Sequence, residues 1–288
     1  MIPAQFDYVA PATLDEAVSL LARHPDEAKI LAGGHSLIPA MKLRLAMPQV
    51  LIDIGRIKDL SYIREEGGQI RIGAMTTHYE IESSSRLKEI CPILPEAAAQ
   101  IGDVQVRNKG TIGGSAAHSD PAADWPAVLI ALDAEIVAVS GGGERTIKVD
   151  DFFVDLLTTA LEPGEILREI RINAPSGRYG QAYLKAPQPA SGFAVVGCAV
   201  HLVKGQDDRC EKINIGITGV ASKAYRARSV SDALVGDSLA EDSEALKNID
   251  PTGGVDANGD LYASAEYRRH LAAVYTRRAV KLAARRAK

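Results

Sequence analysis

Ala32-Gly33-Gly34-His35-Ser36 and Thr111-Ile112-Gly113-Gly114-Ser115 decide how this chain is read. Each is a glycine pair beside a short apolar stretch, and each ends in a hydroxyl. Backbone without side chains can bring several N–H donors close to a phosphate, and neighbouring hydroxyls add more. Two such segments far apart in the chain suggest a split cradle for a ligand with more than one phosphate, such as a dinucleotide. The competing reading of each segment is an ordinary tight turn.

The chain around them belongs to a protein with a sizeable core. It has 288 residues, 46% hydrophobic and 24% charged, which allows two domains or one large one. A net charge of -4 and a pI near 5.9 argue against nucleic-acid binding, which needs a strong positive field. No apolar run reaches the ~18 residues of a membrane span. The opening, Met1 to Phe6, has neither a basic nor an apolar region of a secretory signal, so a cytoplasmic protein is expected. Cys91, Cys198 and Cys210 are widely spaced, without C-x-x-C. An all-cysteine iron–sulfur cluster takes four thiolates, so this chain alone does not hold one that way. The six histidines include no H-E-x-x-H, and no protein-built metal site is expected.

Local patterns give the organisation. Thr13 and Glu16 read as a capping box opening a helix that Pro25 ends, with Leu14, Val18 and Leu21 on one face. Strands are expected at 28–32 and 50–54, a hairpin around Gly67-Gly68 joining Ile63 to 69–74, and a helix over 92–101. Asp120-Pro121 reads as the N-cap and first residue of a helix reaching Leu132. A second hairpin crosses Gly141 to Gly143. Pro175-Ser176-Gly177 is a boundary, followed by strands at 180–185, 194–203 and 212–220 and helices at 231–234, 242–247 and 264–287. Adjacent strands followed by helices indicate α+β. Tyr267, Leu271, Val274 and Leu282 mark a core face on the last helix. The basic end of that helix, from Arg277 to Lys288, either complements the helix dipole or docks an acidic partner. The sequence contains no G-x-G-x-x-G after a strand, no P-loop and no G-x-S-x-G. A dinucleotide would therefore be held by a fold other than the Rossmann type.

The stretch LAGGHSLIPAMKLRLA (31–46) with LIDI (51–54), and VQVRNKGTIGGSAAHSDPAADWPA (104–127), resemble the two FAD-binding segments of the molybdenum hydroxylases. That family includes xanthine dehydrogenase and carbon monoxide dehydrogenase. The resemblance covers essentially the whole chain and is greatest to the separate medium subunit of the carbon monoxide dehydrogenase group. It implies a vanillyl-alcohol-oxidase-type FAD-binding fold: two α+β subdomains in 1–176, split near 55–60, then a C-terminal α+β domain of antiparallel sheet and helices in 177–288.

The resemblance also implies FAD held without a covalent bond, including at His35. The cofactor-binding residues it carries over are Leu31, Ala32, Gly33, Gly34, His35, Ser36 and Leu37, then Thr111, Ile112, Gly113, Gly114 and Ser115, and finally Asp124, Leu161 and Lys185. Gly33, Gly34, Gly113 and Gly114 would offer backbone N–H groups. Asp124 would accept from ribityl or ribose hydroxyls; its bland alternative is a solvent-facing helix residue. Leu161 and Lys185 would line the flavin; for Lys185 the alternative is a plain surface lysine. Ile101 and Phe193 are further candidates for packing on the ring. No catalytic acid or base is expected. Partner subunits would carry [2Fe–2S] clusters and molybdopterin, in a heterotrimer or a dimer of heterotrimers, and FAD would relay electrons to an external acceptor. The rival readings are a self-sufficient FAD oxidase and a nucleotide-binding module without redox chemistry. After Lys185 the family often shows further basic residues and an acid; here 186–189 are Ala, Pro, Gln and Pro.

Overall fold

The computed structural model describes residues 1–240 and 243–288. The chain begins with β1 (Asp7–Val9), α1 (Leu14–Arg23), β2 (Ala28–Leu31), α2 (Leu37–Lys42) and β3 (Val50–Asp53). The strands form a parallel sheet in the order β1-β3-β2, with Asp7 and Ala28 both level with Val50. Thr13 caps α1 by accepting from the Glu16 N–H at 3.2 Å. The return arm of the expected capping box lands one residue early: the Glu16 carboxylate accepts from the Ala12 N–H. Ala17 and Val18 of α1 pack with Ile52, Ile54 and Leu60.

A second sheet carries the larger core. Its elements are β4 (Ile63–Glu66), β5 (Gln69–Gly73), α3 (His78–Ser83), α4 (Ser85–Ile90), α5 (Ile93–Ala98), α6 (Val104–Arg107), α7 (Ile112–His118), α8 (Asp124–Ala131), β6 (Glu135–Ser140), β7 (Gly143–Lys148), α9 (Val149–Phe152), β8 (Phe153–Asp155), β9 (Thr158–Thr159) and β10 (Ile166–Asn173). The sheet order is β4-β5-β10-β6-β7, with neighbours antiparallel. Gly67 and Gly68 both have positive φ, 60° and 75°, as a two-residue hairpin turn of this hand needs.

Two expectations change here. The second glycine segment is the first turn of α7 rather than a loop. The next helix starts at Asp124, not at Asp120-Pro121. Ser119 at φ 53° closes α7. The Asp120 carboxylate accepts from the Ala122 N–H at 2.8 Å. Thr218 and Gly219, from the far end of the chain, donate to the carbonyls of Pro121 and Ala123. Those carbonyls are committed to tertiary bonds, so residues 120–123 do not join a helix.

The C-terminal part comprises β11 (Arg178–Pro187), β12 (Ala194–Lys204), β13 (Cys210–Thr218), β14 (Tyr225–Arg226), α10 (Arg228–Leu234), α11 (Glu244–Lys247) and α12 (Ala265–Arg286). Its four strands pair antiparallel in chain order. The expected helix at 242–247 is seen as α11; Asp242 lies outside the described residues. The sheet is covered on both faces. Val196, Cys198, Val200 and Leu202 of β12 pack toward α12, while Tyr183 and Ala199 join the core of the second sheet. That division follows the period of two along a strand.

The core face expected on α12 is corrected in part: Leu271 and Leu282 do pack against the core, partly open. Tyr267 is 49% exposed, and the buried row is Ala272, Thr276, Ala279, Val280 and Ala283. A Cβ at Gly180 would collide with the Ala283 carbonyl. Helix and strand backbones touch there, which only small residues permit. On the opposite face a Cβ at Gly216 would collide with Ala127 of α8. All eight residues of α8 are buried, held between the two larger sheets. No helix among the described residues is long and apolar enough to cross a membrane.

Candidate functional site

The first glycine segment leaves the carboxyl end of β2 and turns into α2. Gly34 makes the turn at φ 78°, a conformation that favours glycine. The N–H groups of Gly33, Gly34, His35 and Ser36 have no acceptor among the described residues, and the Ser36 hydroxyl makes no capping bond. A Cβ at Gly33 would overlap the Lys109 carbonyl and lie 2.8 Å from the Gly110 Cα. One at Gly114 would lie 3.4 Å from the Ala32 Cβ. The two glycine segments therefore meet, and the row of unpaired donors flanks their contact.

The second segment contributes differently from expectation. Thr111 caps α7, its Oγ1 accepting from the Gly114 N–H at 3.1 Å. The Gly113 N–H donates to the Ala74 carbonyl at 2.9 Å and the Ile112 N–H to that of Thr76 at 3.1 Å. The Gly113 and Gly114 donors are thus spent inside the fold. Gly113 is glycine because a Cβ would sit 2.5 Å from that of Ala74. The buried Thr111 N–H and the part-exposed Ser115 hydroxyl remain without a partner among the described residues. A buried unpaired donor costs about 1–3 kcal/mol, and an anion at the cradle would relieve it.

His78 supports this arrangement and was missed from sequence. Its N–H donates to the Gly110 carbonyl at 2.9 Å, and its Nδ1 accepts from Trp125 Nε1 at 3.1 Å. Burial drives its pKa down to about 4, so the ring is neutral and its proton is assigned to Nε2. That atom lies against Gly110, where a Cβ would come within 2.7 Å. A readable signal stood beside it. Thr77 and Glu80 form a complete capping box at the start of α3, Thr77 Oγ1 accepting from the Glu80 N–H and Glu80 Oε2 from the Thr77 N–H.

Asp124 and Lys185 form a buried pair, with Nζ 2.8 Å from Oδ1 and side chains 6% and 3% exposed. The Tyr183 hydroxyl donates to the same Oδ1 at 2.5 Å, and Lys185 Nζ also donates to the Gln100 carbonyl at 2.7 Å. Gly197 leaves room for this: a Cβ there would lie 2.6 Å from the Tyr183 hydroxyl. Burial raises the Asp124 pKa despite the opposing pull of Lys185 and Tyr183. Burial, aided by Asp124, holds the Tyr183 hydroxyl well above its ordinary value. Asp124 is therefore no solvent-facing helix residue and Lys185 no surface lysine. Only Oδ2 of Asp124 is left without a side-chain partner.

The remaining candidates divide by burial. Leu31 and Leu37 pack with Met41, Leu51 and Phe6, and Ile112 lies in the main core. These three hold the loops from behind. Leu161 and Ile101 lean on the main core while partly open, and Phe193 is exposed at the β11–β12 turn. Ala32 and His35 stay at the cradle's surface.

Comparisons with known proteins identify the family. Residues 4–175 match the family model of the FAD binding domain in molybdopterin dehydrogenase, and residues 181–283 that of the CO dehydrogenase flavoprotein C-terminal domain. The carbon monoxide dehydrogenase medium chain of Hydrogenophaga pseudoflava is 40% identical over 98% of both chains. A structure of the Cu,Mo-CO dehydrogenase superposes with a TM-score of 0.95 at 40% identity, covering all of both chains. Quinoline 2-oxidoreductase from Pseudomonas putida 86 gives 0.92 at 33% identity, covering 100% of this chain and 99% of that one. FAD is the cofactor of this domain family, and the relatives named medium chains are oxidoreductase subunits. With both family models matched in order along its length, the chain belongs to the FAD-binding medium subunits of the carbon monoxide dehydrogenase-like molybdenum hydroxylases.

Proposed function

We propose that this chain holds FAD non-covalently between its two glycine segments and relays electrons from [2Fe–2S] clusters of a partner subunit to an external acceptor. The observation that carries the reading is the row of unpaired N–H groups from Gly33 to Ser36, pressed by Gly33 onto the Lys109–Gly110 backbone. It fits a pyrophosphate, with the Thr111 N–H and the Ser36 and Ser115 hydroxyls as further donors. Leu31, Leu37, Ile112, Gly113 and Gly114 shape the cradle. Ala32 and His35 border it. Asp124 Oδ2 accepts from a sugar hydroxyl, and Leu161 and Lys185 face the ring.

Bound FAD supplies one-electron exchange with a cluster and two-electron exchange with an acceptor. The chain's own residues bind and orient it; no acid or base is needed. The clusters lie in another chain, because Cys91, Cys198 and Cys210 are each buried and together fall short of four thiolates. A molybdopterin subunit completes a heterotrimer, single or doubled, in the cytoplasm. The cofactor unit spans 1–176, with its subdomains divided near 55–60, and the C-terminal unit spans 177–288.

An absorption spectrum before and after acid precipitation tests the cofactor claim. Flavin bands passing into the supernatant, identified as FAD, are expected. Colour retained in the pellet, or no uptake of added FAD, overturns it. Turnover of an alcohol or amine by the isolated chain would overturn the relay role.

A further inference from the structure

Asp124 and Lys185 hold opposite charges in the interior, and a third side chain, Tyr183, governs the balance between them. Tyr183 and Lys185 stand two residues apart on β11, so their side chains leave the same face of the strand. That face meets Asp124, the first residue of α8. Both side chains converge on one oxygen: Asp124 Oδ1 accepts from the Tyr183 hydroxyl at 2.5 Å and lies 2.8 Å from Lys185 Nζ. The fold makes room for this. Gly197 stands opposite Lys185 on β12, and a Cβ there would come within 2.6 Å of the Tyr183 hydroxyl and 2.7 Å of Thr218 Cγ2. Thr218 in turn donates to the Ala123 carbonyl at 2.8 Å, which fixes the residue before Asp124. The Gln100 side chain donates to the Tyr183 carbonyl at 3.4 Å, while the Gln100 carbonyl accepts from Lys185 at 2.7 Å.

Hydrogen-bond accounting shows what the tyrosine does. Lys185 is the only cation paired with Asp124 among the described residues. Burial disfavours the Asp124 carboxylate, and a charge-assisted bond from a hydroxyl offsets part of that cost. Tyr183 is a fixed donor, because burial, aided by Asp124, holds its own proton on well above the ordinary phenol range. An ammonium has three protons to give. Those of Lys185 reach Asp124 Oδ1 and the Gln100 carbonyl, and the third has no acceptor among the described residues. With the Tyr183 bond in place, part of the Asp124 charge is absorbed by the phenol, and more of the ammonium's field is left over. Without that bond, Asp124 cancels more of the field.

We propose that Tyr183 is a positioning residue that tunes the flavin: its hydroxyl draws part of the Asp124 charge away from Lys185, leaves the ammonium's field to the ring, and so raises the reduction potential. The inference rests on the placement of Lys185 at the ring proposed above. Reduction adds negative charge to the ring, and a cation held beside it favours that state.

The test uses the complex purified through a tag on this chain, with the flavin's potential read by spectroelectrochemical titration beside flavin content and circular dichroism. Tyr183→Phe is expected to keep its flavin and its circular dichroism. Its preference for reduced over oxidised flavin should fall about tenfold, the order of a hydrogen bond to a charged group, which lowers the potential by about 30 mV. A ring-fluorinated tyrosine at position 183, a stronger donor of nearly the same shape, should move the potential upward. Tyr225→Phe, at a buried hydroxyl without a partner among the described residues, should leave it unchanged. A potential that Tyr183→Phe leaves in place while Lys185→Met lowers it overturns the proposal. So does a Tyr183→Phe complex without flavin whose fluorinated counterpart keeps both flavin and the wild-type potential. An unmoved potential in Lys185→Met instead overturns the placement of Lys185 at the ring, and a wild-type complex without flavin overturns the FAD reading itself.

Discussion

A single missing side chain joins the two halves of the cradle. Gly33 lies so close to Lys109 that one methyl group would push the segments apart. Gly33→Ala is expected to lower the flavin-to-protein ratio about tenfold or more, a loss of at least ~1.4 kcal/mol in binding. Gly141→Ala, where a Cβ meets nothing within 4 Å, should retain flavin fully; the 450 nm to 280 nm absorbance ratio reads both. His78 carries a pH dependence. Its folded pKa of about 4 lies below the ordinary 6.5, so the fold favours the neutral ring. That preference is complete above pH 6.5 and is lost as pH falls toward 4, at a cost of about 3 kcal/mol. His201, also lowered by burial to about 4, acts in the same direction. Urea denaturation between pH 7 and 4.5 should show falling stability, and His78→Gln should remove about half of the slope these two rings supply. An equal slope in the variant would contradict the assignment.

Helices and strands differ in how openly the sequence declares them. The Gly67-Gly68 hairpin and the α1 cap are local events, legible in neighbouring residues. The buried face of α12 is not. Ala272, Thr276, Ala279 and Ala283 carry little hydrophobic signal, whereas the larger Leu271 only flanks the core and Tyr267 stays exposed. What buries the small row is contact with Gly180, a residue far away in sequence. Gly180→Val should therefore lower the denaturation midpoint more than Tyr267→Ala, with the cost of overpacking, about 1–3 kcal/mol, as its lower bound. The start of α8 failed for a related reason: Thr218 and Gly219 claim its upstream carbonyls. The glycine pairs of the candidate site were plain in the sequence, but not which donors stay unspent. Gly113 and Ala74 are adjacent only in the folded chain, as are His78 and Trp125.

Across the whole molecule, Asp124 and Lys185 fasten the second sheet's helices to the C-terminal sheet. Removing one partner leaves a buried charge unpaired, at about 3–5 kcal/mol. Lys185→Met is expected to fall in that range. Asp124→Asn/Lys185→Met should recover most of it, since an asparagine oxygen still accepts from Tyr183; thermal unfolding of the double-mutant cycle measures the coupling. Additive losses would mean that the pair does not act as one. Asp133 and Asp150 meeting Arg226 add a second tie between the same layers.

The contact between Gly33 and Lys109 also sets an order of events in the life of the chain. During synthesis the first donors emerge well before the backbone that positions them, and Thr111 and Ser115 later still. On the proposed reading, a nascent polypeptide ending before residue 115 would lack a complete receptor for FAD, so loading would follow long-range closure rather than guide early folding. Once closed, the cofactor adds stability as RT ln(1 + [FAD]/Kd). Cells short of flavin would then accumulate a finished but less durable subunit, one that quality control removes sooner than its loaded counterpart.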